Sequence, residues 1–233
     1  MSLTPESIRH KRAEQPDTRE RDFAVQYGIS EGELVAAYVG QGKTRLRVDM
    51  KGLLNGLEGV GEVLALTRND SAVHEKSGVY ENVSASDHVA IVLGDDIDLR
   101  IFPQRWAHGF AVEKTDKEGA VRRSLQFFDV AGEAVHKVHA KPATDLDAWA
   151  RLVAALQAED QTPGIVVQPA PVHEPAGAPA GIADLRREWA AMTDTHQFVG
   201  LLRRLNLKRL DALRLVGEDY AWPLAGEAVA SVL

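Results

Sequence analysis

Between Gly61 and Ala140 seven short runs of apolar or alternating residues follow one another: Glu62–Thr67, Val73–Asn82, Val89–Leu93, Ile97–Phe102, Gly109–Lys114, Ala120–Phe128 and Glu133–Val138. Turn formers separate them, among them Gly94-Asp95-Asp96, Asp116-Lys117-Glu118-Gly119 and the stretch from Asp129 to Gly132. Breaks this short leave no room for a crossover helix, so consecutive strands must pair as antiparallel hairpin neighbours. The pattern predicts a large antiparallel sheet.

Helix signals flank this region. Thr4-Pro5 places a cap before a proline at the first helical position, ahead of Glu6 to Glu14. Asp17 with Glu20 has the capping-box spacing for a helix ending at Gly28, and Ser30 with Glu33 repeats it for one ending at Gly40. Three helices are therefore expected before any sheet, with a further short one around Gly52 to Leu57. Asp145 to Glu159 puts Leu146, Trp149, Leu152, Val153 and Leu156 on one stripe, which suits a helix lying on the sheet. Asp184 to Leu205 and Arg209 to Val216 read as helices again. The fold class expected is α+β.

Five of the chain's ten prolines fall between Gln161 and Gly181, which predicts an extended linker over residues 161–181. On its two sides Asp17-Thr18-Arg19 resembles Asp194-Thr195-His196, and Tyr38-Val39-Gly40 resembles Leu215-Val216-Gly217. Both pairs are 177 residues apart, with a one-residue slip between them. The arrangement expected is one whole repeat over 1–160 and the helical head of a second, incomplete repeat over 182–233, with Ala228 to Leu233 starting another helix.

The composition narrows the function classes. A formal charge of −7, without a dense Lys/Arg run, argues against nucleic-acid binding. The absence of cysteine removes disulfides, thiolate metal sites and a Cys nucleophile. Met1 to Gln15 is charged throughout, unlike a signal peptide, and no stretch approaches the roughly 18 apolar residues of a membrane span. A cytoplasmic protein without membrane insertion is expected.

Three places carry candidate chemistry. In Ile97 to Phe102 strand alternation sets Asp98, Arg100 and Phe102 on one face, so that a permanent cation stands beside an aromatic ring. That suits a planar aromatic ligand with carboxylates or an iron-bound ligand, but from this strand alone an Asp98–Arg100 pair on a solvated face is the favoured reading. His196 starts a helix whose face continues through Val199, Gly200 and Arg203. It could serve as an iron ligand, or as a surface or capping residue. His74 lies in a polar run and either faces a ligand or solvates a hairpin. His136 and His139, three apart on a strand, fall on opposite faces and are not expected to share a metal.

Several ordered blocks resemble the start of HemS-type haemin-degrading proteins of the HemS/ChuX domain family. They are Ser7 to Gly40, Arg68-Asn69-Asp70 through Tyr80-Glu81-Asn82-Val83, Gly94 to Phe102, and Trp189 to Phe198. The resemblance implies cytoplasmic haem handling by a duplicated sheet-and-helix fold, with haem lying between the repeats. By residue it implies His196 as the iron ligand, and Arg100 and Phe102 on the distal side, where Arg100 would donate to a small oxygen ligand and act as the catalytic residue. His74 and Val199 join them as expected haem contacts, although the family pattern leads one to expect an aromatic where Val199 stands. The resemblance further implies a role in haem uptake and iron acquisition, by ring opening or by delivery to a haem oxygenase, with a haem importer as another partner. The alternative is a truncated, catalytically silent haem-binding or structural module. Self-association through the exposed apolar surface of an unfinished repeat is a third expectation.

Overall fold

The computed structural model describes residues 3–69, 72–170 and 181–228. Two compact units divide the chain, residues 1–170 and 171–233. The first begins with α1 (Pro5–Glu14), α2 (Glu20–Tyr27) and α3 (Glu31–Ala36). Thr4 caps α1 by accepting from the Ser7 amide. At α3 the reciprocal capping box is complete: the Ser30 hydroxyl accepts from the Glu33 amide, and the Glu33 carboxylate accepts from that of Ser30. The Asp17 signal is corrected. α2 starts three residues later with Arg19 at its cap position and no capping side chain, while Asp17 is committed to Lys117 at 2.7 Å. Gly28 ends α2 in the left-handed region, φ 62°, as its position after the last turn requires.

A strand that sequence analysis missed follows, β1 (Lys43–Leu46), and then α4 (Met50–Gly59). The remaining strands are β2 (Val63–Arg68), β3 (Val73–Gly78), β4 (Ser84–Ala85), β5 (Ala90–Leu93), β6 (Asp98–Ile101), β7 (His108–Thr115), β8 (Val121–Phe128) and β9 (Ala134–Ala140). They are antiparallel but form two sheets rather than one: six strands in the order β1-β7-β8-β9-β2-β3, and three in the order β4-β5-β6. The turn Pro103–Arg105 carries the chain from the small sheet back to the large one. α5 (Leu146–Leu156) completes the layer, capped by Asp145, which accepts from the amides of Asp147 and Ala148.

Both faces of the large sheet are covered. On one, Val63, Leu125, Phe127 and Val138 pack with Leu53, Leu54 and Leu57 of α4 and Trp149, Leu152 and Leu156 of α5. On the other, Phe110, Val112 and Phe128 meet Val35 and Ala36 of α3. α4 and α5 touch closely because position 56 is glycine: a Cβ there would lie 2.3 Å from Cδ1 of the buried Leu152. Residues 161–168 cross the outside of this unit. Gln161 exchanges bonds with the Arg45 backbone, the Arg45 guanidinium donates to the carbonyls of Thr162 and Gly164, and the Gln168 amide donates to that of Val130.

Glu31, the first residue of α3, is a buried carboxylate. It accepts from Lys137 of β9 at 2.9 Å and from Arg68 of β2. Burial alone would raise its carboxyl pKa, but Lys137 and then Arg68 outweigh it and hold the group below its usual value.

The second unit contains α6 (Ile182–Ala190), α7 (Gln197–Arg204) and α8 (Arg209–Val216). The helix expected over Asp184 to Leu205 is broken between Ala190 and Gln197. Leu185, Leu201, Leu205, Ala212 and Val216 form its core, with Trp189 edge-on to Phe198 at 4.8 Å. The helix expected after Ala228 lies outside the described residues. No helix among the described residues is long and apolar enough to cross a membrane.

Glu31→Ala leaves two inward-pointing cations unpaired and is expected to cost about 3–5 kcal/mol in urea unfolding. Because the folded carboxyl pKa is lowered, this contribution is present above the ordinary carboxylate value and lost as pH falls through the lowered one. Gly56→Ala overpacks the α4–α5 contact and is expected to cost about 1–3 kcal/mol in the same assay, without loss of helical circular dichroism.

Candidate functional site

One row of residues runs across the large sheet on the face that carries α4 and α5. Register pairs Leu46 of β1 with Gly109, Gly109 with Phe127 and Phe127 with His136. His136 Nδ1 lies 2.8 Å from the hydroxyl of Thr67, which pairs in turn with His74 on the edge strand β3. The row therefore passes from apolar core to polar rim. A β-bulge between Phe127 and Phe128 gives β9 an extra residue, so Val135 and His136 both turn toward this end of the face.

His136 is held on every side. Its Nε2 is 2.7 Å from the hydroxyl of Tyr80, and the Trp106 ring lies 5.6 Å away at 30°. Burial holds the imidazole neutral, with its pKa pushed down to about 4, and the same burial pushes the Tyr80 phenol far upward. His139 stands on the other face, as its spacing predicts, and no cluster of potential metal ligands forms among the described residues.

The polar end of the row opens into two adjoining clefts that share Thr67, Leu99 and His136. The narrow one includes His74, Lys76 and Asp98. The other, 190 Å³, is lined by Arg100, Phe102, Arg105, Trp106 and Val135 as well. Alternation in β6 is as expected: Ile97 and Ile101 are buried, while Asp98, Arg100 and Phe102 are exposed. Arg100 makes no ion pair with Asp98, and Phe102 is 51% exposed despite its apolar ring. Structure thus brings His74, Arg100 and Phe102 to one region. It adds Thr67, Tyr80, Arg105, Trp106 and His136, which sequence analysis did not place there; the hairpin registers were the signal that could have found Thr67 and His136. Two roomier cavities, 310 and 610 Å³, lie under α1–α3 and between β1, β7 and α5, and include none of the candidate residues.

In the second unit, His196 is the cap residue of α7 and its side chain is exposed. Asp194 Oδ1 accepts from the His196 amide at 2.7 Å and lies 2.6 Å from its Nδ1. These same two bonds lower the Asp194 carboxyl pKa. A carboxylate on Nδ1 fixes the ring and favours the tautomer whose Nε2 lone pair points outward, the usual outer support of a metal-bound imidazole. Val199 is exposed on the same helix, and a Cβ at Gly200 would meet only the Arg204 guanidinium, at 3.4 Å.

An α+β protein with a helical head, a six-stranded antiparallel sheet and a cation-rimmed aromatic cleft is the class defined so far. Residues 28–156 match the family described as the haemin-degrading HemS.ChuX domain, and the chain belongs to that family. It is 41% identical over 223 residues to the hemin transport protein HmuS of Yersinia pestis, covering 95% of this chain and 64% of HmuS. It is similar in structure to holo-PhuS, a heme-binding protein from Pseudomonas aeruginosa, with a TM-score of 0.89 and 39% identity over 99% of this chain and 68% of PhuS. The heme-degrading enzyme ChuS of Escherichia coli O157:H7 gives a TM-score of 0.83 and 35% identity, over 96% of this chain and 65% of ChuS. The chain thus spans about 64% of the length of the curated relatives it matches.

The buried His136 sets a pH response. An imidazole whose folded pKa is about 4 binds fewer protons than its unfolded counterpart at 6.5, so stability is full above the higher value. As pH falls from 6.5 to 4 the protein is expected to lose about 3 kcal/mol, measured by urea unfolding, and His136→Gln is expected to flatten that part of the profile.

Proposed function

We propose that this chain binds haem and serves haem uptake and iron acquisition in the cytoplasm, either opening the ring or delivering haem to a haem oxygenase. The observation that carries this reading is the Asp194–His196 pair, which presents an imidazole Nε2 on an exposed helix start next to Val199 and Gly200. That donor set fits haem iron. In the first unit an exposed aromatic ring next to a guanidinium with no ion pair among the described residues fits a flat, partly anionic macrocycle.

In this reading His196 would hold haem iron through Nε2, and Asp194 keeps the imidazole from turning. Arg100 is the catalytic residue. Its guanidinium donates hydrogen bonds and never accepts them, so it would donate to an acceptor on bound haem. Phe102 and Val199 give apolar contact, and His74 stands at the polar edge beside Thr67. Haem, when bound, supplies the redox-active iron and the oxidisable ring. We read residues 1–160 as the first HemS-like repeat, 161–181 as the linker and 182–233 as the helical head of the second. The curated relatives named as hemin transport proteins, and the solved haem-binding and heme-degrading ones, support the same reading.

Titration of the full chain with ferric haem tests the assignment. His196→Ala is expected to weaken haem binding at least about tenfold and to move the Soret band. Asp194→Asn is expected to keep the ligand but lower the affinity by a smaller factor. An unchanged Soret band and affinity in His196→Ala would remove the ligand assignment. Adding reductant and air with catalase present separates the two roles: loss of the Soret band marks ring opening, and intact haem marks a carrier.

A further inference from the structure

The hydrogen-bond chain through His136 has a direction. The buried imidazole is neutral, so one ring nitrogen donates and the other accepts. Among the described residues the Tyr80 hydroxyl has no hydrogen-bond partner besides His136, and Tyr80 is fully buried. If Nε2 carried the proton, Tyr80 would have to accept it and strand its own hydrogen in the core. An undonated buried hydrogen is the costlier defect, whereas an oxygen with an unused lone pair is tolerated. Tyr80 therefore donates to Nε2, and the His136 proton sits on Nδ1. That proton is given to Thr67, whose oxygen is thereby occupied as an acceptor and whose own hydrogen is turned away from the ring.

What lies away from the ring is the cleft. Thr67 is exposed and lines both of its parts; the exposed cations Arg100 and Arg105 line the 190 Å³ part with Phe102 and Trp106, and His74, Lys76, Asp96 and Asp98 line the narrow part. We infer that Thr67 is a fixed hydrogen-bond donor in this cleft and that, with Arg105, it receives a carboxylate carried by a planar aromatic ligand. No carboxylate lines the 190 Å³ part, so a ligand amine there would meet two cations and the Thr67 hydrogen; Asp96 and Asp98 line the narrow part. Tyr80 and His136 are positioning residues in this arrangement and do not touch the ligand. Haem carries carboxylates at its edge, so the physiological ligand of the subsite rests on the proposed function, while the subsite itself does not.

The experiment has two arms on the full chain. In the first, 1-naphthoate, a planar aromatic carboxylate, and its uncharged methyl ester are titrated while the Thr67 methyl resonance and the His136 ring nitrogens are followed by NMR. The acid is expected to shift the Thr67 methyl saturably, the ester is not, and the ring nitrogens are expected to report the Nδ1–H form. By calorimetry Thr67→Val is expected to weaken naphthoate about tenfold or more, the worth of a hydrogen bond to a charged group. Tyr80→Phe is expected to weaken it less and to remove the pure Nδ1–H signature, an effect that a merely structural role for Tyr80 would not produce. In the second arm ferric haem and its dimethyl ester are compared, and Thr67→Val is expected to reduce the preference for the free acid. An Nε2–H form in the parent protein, or equal binding of naphthoate and its ester, overturns the subsite. If naphthoate behaves as expected and haem does not bind, the subsite stands and the proposed function falls. If haem binds through His196 while Thr67→Val leaves the acid-to-ester preference unchanged, the subsite falls alone.

Discussion

The first unit depends on one buried carboxylate. Glu31 opens α3, where a negative charge is favoured by the helix dipole, and it reaches the sheet at two strands through Arg68 and Lys137. Desolvating three charges is expensive, and the arrangement holds only because the partners converge on one group. It also fixes a register. Arg68 and Lys137 point to the helical-head face, so their strand neighbours Thr67 and His136 must point to the opposite face, since side chains alternate along a strand. The ion cluster and the cleft are thus two sides of the same pair of strands, and shifting β2 or β9 by one residue would destroy both.

That coupling explains how a cleft forms at the edge of a tightly packed core. Along the row from Leu46 to His74 each position is more polar than a core would tolerate only once the row has passed His136. The imidazole is the transition. One nitrogen satisfies a tyrosine that is wholly interior, and the other satisfies a threonine that is exposed, so neither polar atom of the ring is left without a partner. Trp106 packs against both His136, at 5.6 Å, and Phe127, at 4.7 Å between ring centroids, which joins the imidazole to the apolar part of the row.

Much of this was legible in sequence, and the failures have physical causes. Strand alternation and turn composition are local, so the α+β class, five of the six strands of the large sheet and the opposite faces of His136 and His139 were readable. β1 was not, because Lys43-Thr44-Arg45 has no apolar alternation and becomes a strand only by pairing with β7 some sixty residues later. Nor was the split into two sheets, which depends on which hairpins stack and not on whether they form. The exposed face of β6 was read correctly for Arg100 and Phe102. The Tyr80–His136–Thr67 chain was missed because it joins three segments across a bulge, and no spacing within any one of them announces it.

The helical segments carry a comparison that local pattern made visible. α6 starts 177 residues after α1, at Ile182 against Pro5, and α7 starts and ends 177 residues after α2. At this spacing Asp17 and Arg19 correspond to Asp194 and His196. The two carboxylates have different partners: Asp17 pairs with Lys117 on a hairpin of the sheet, whereas Asp194 turns back onto the imidazole two residues on. Arg19 cannot act as a neutral nitrogen donor, so only the later position can ligate a metal. Of two helix starts that share this spacing, the one with a histidine two residues after its carboxylate is the one that offers a candidate ligand nitrogen.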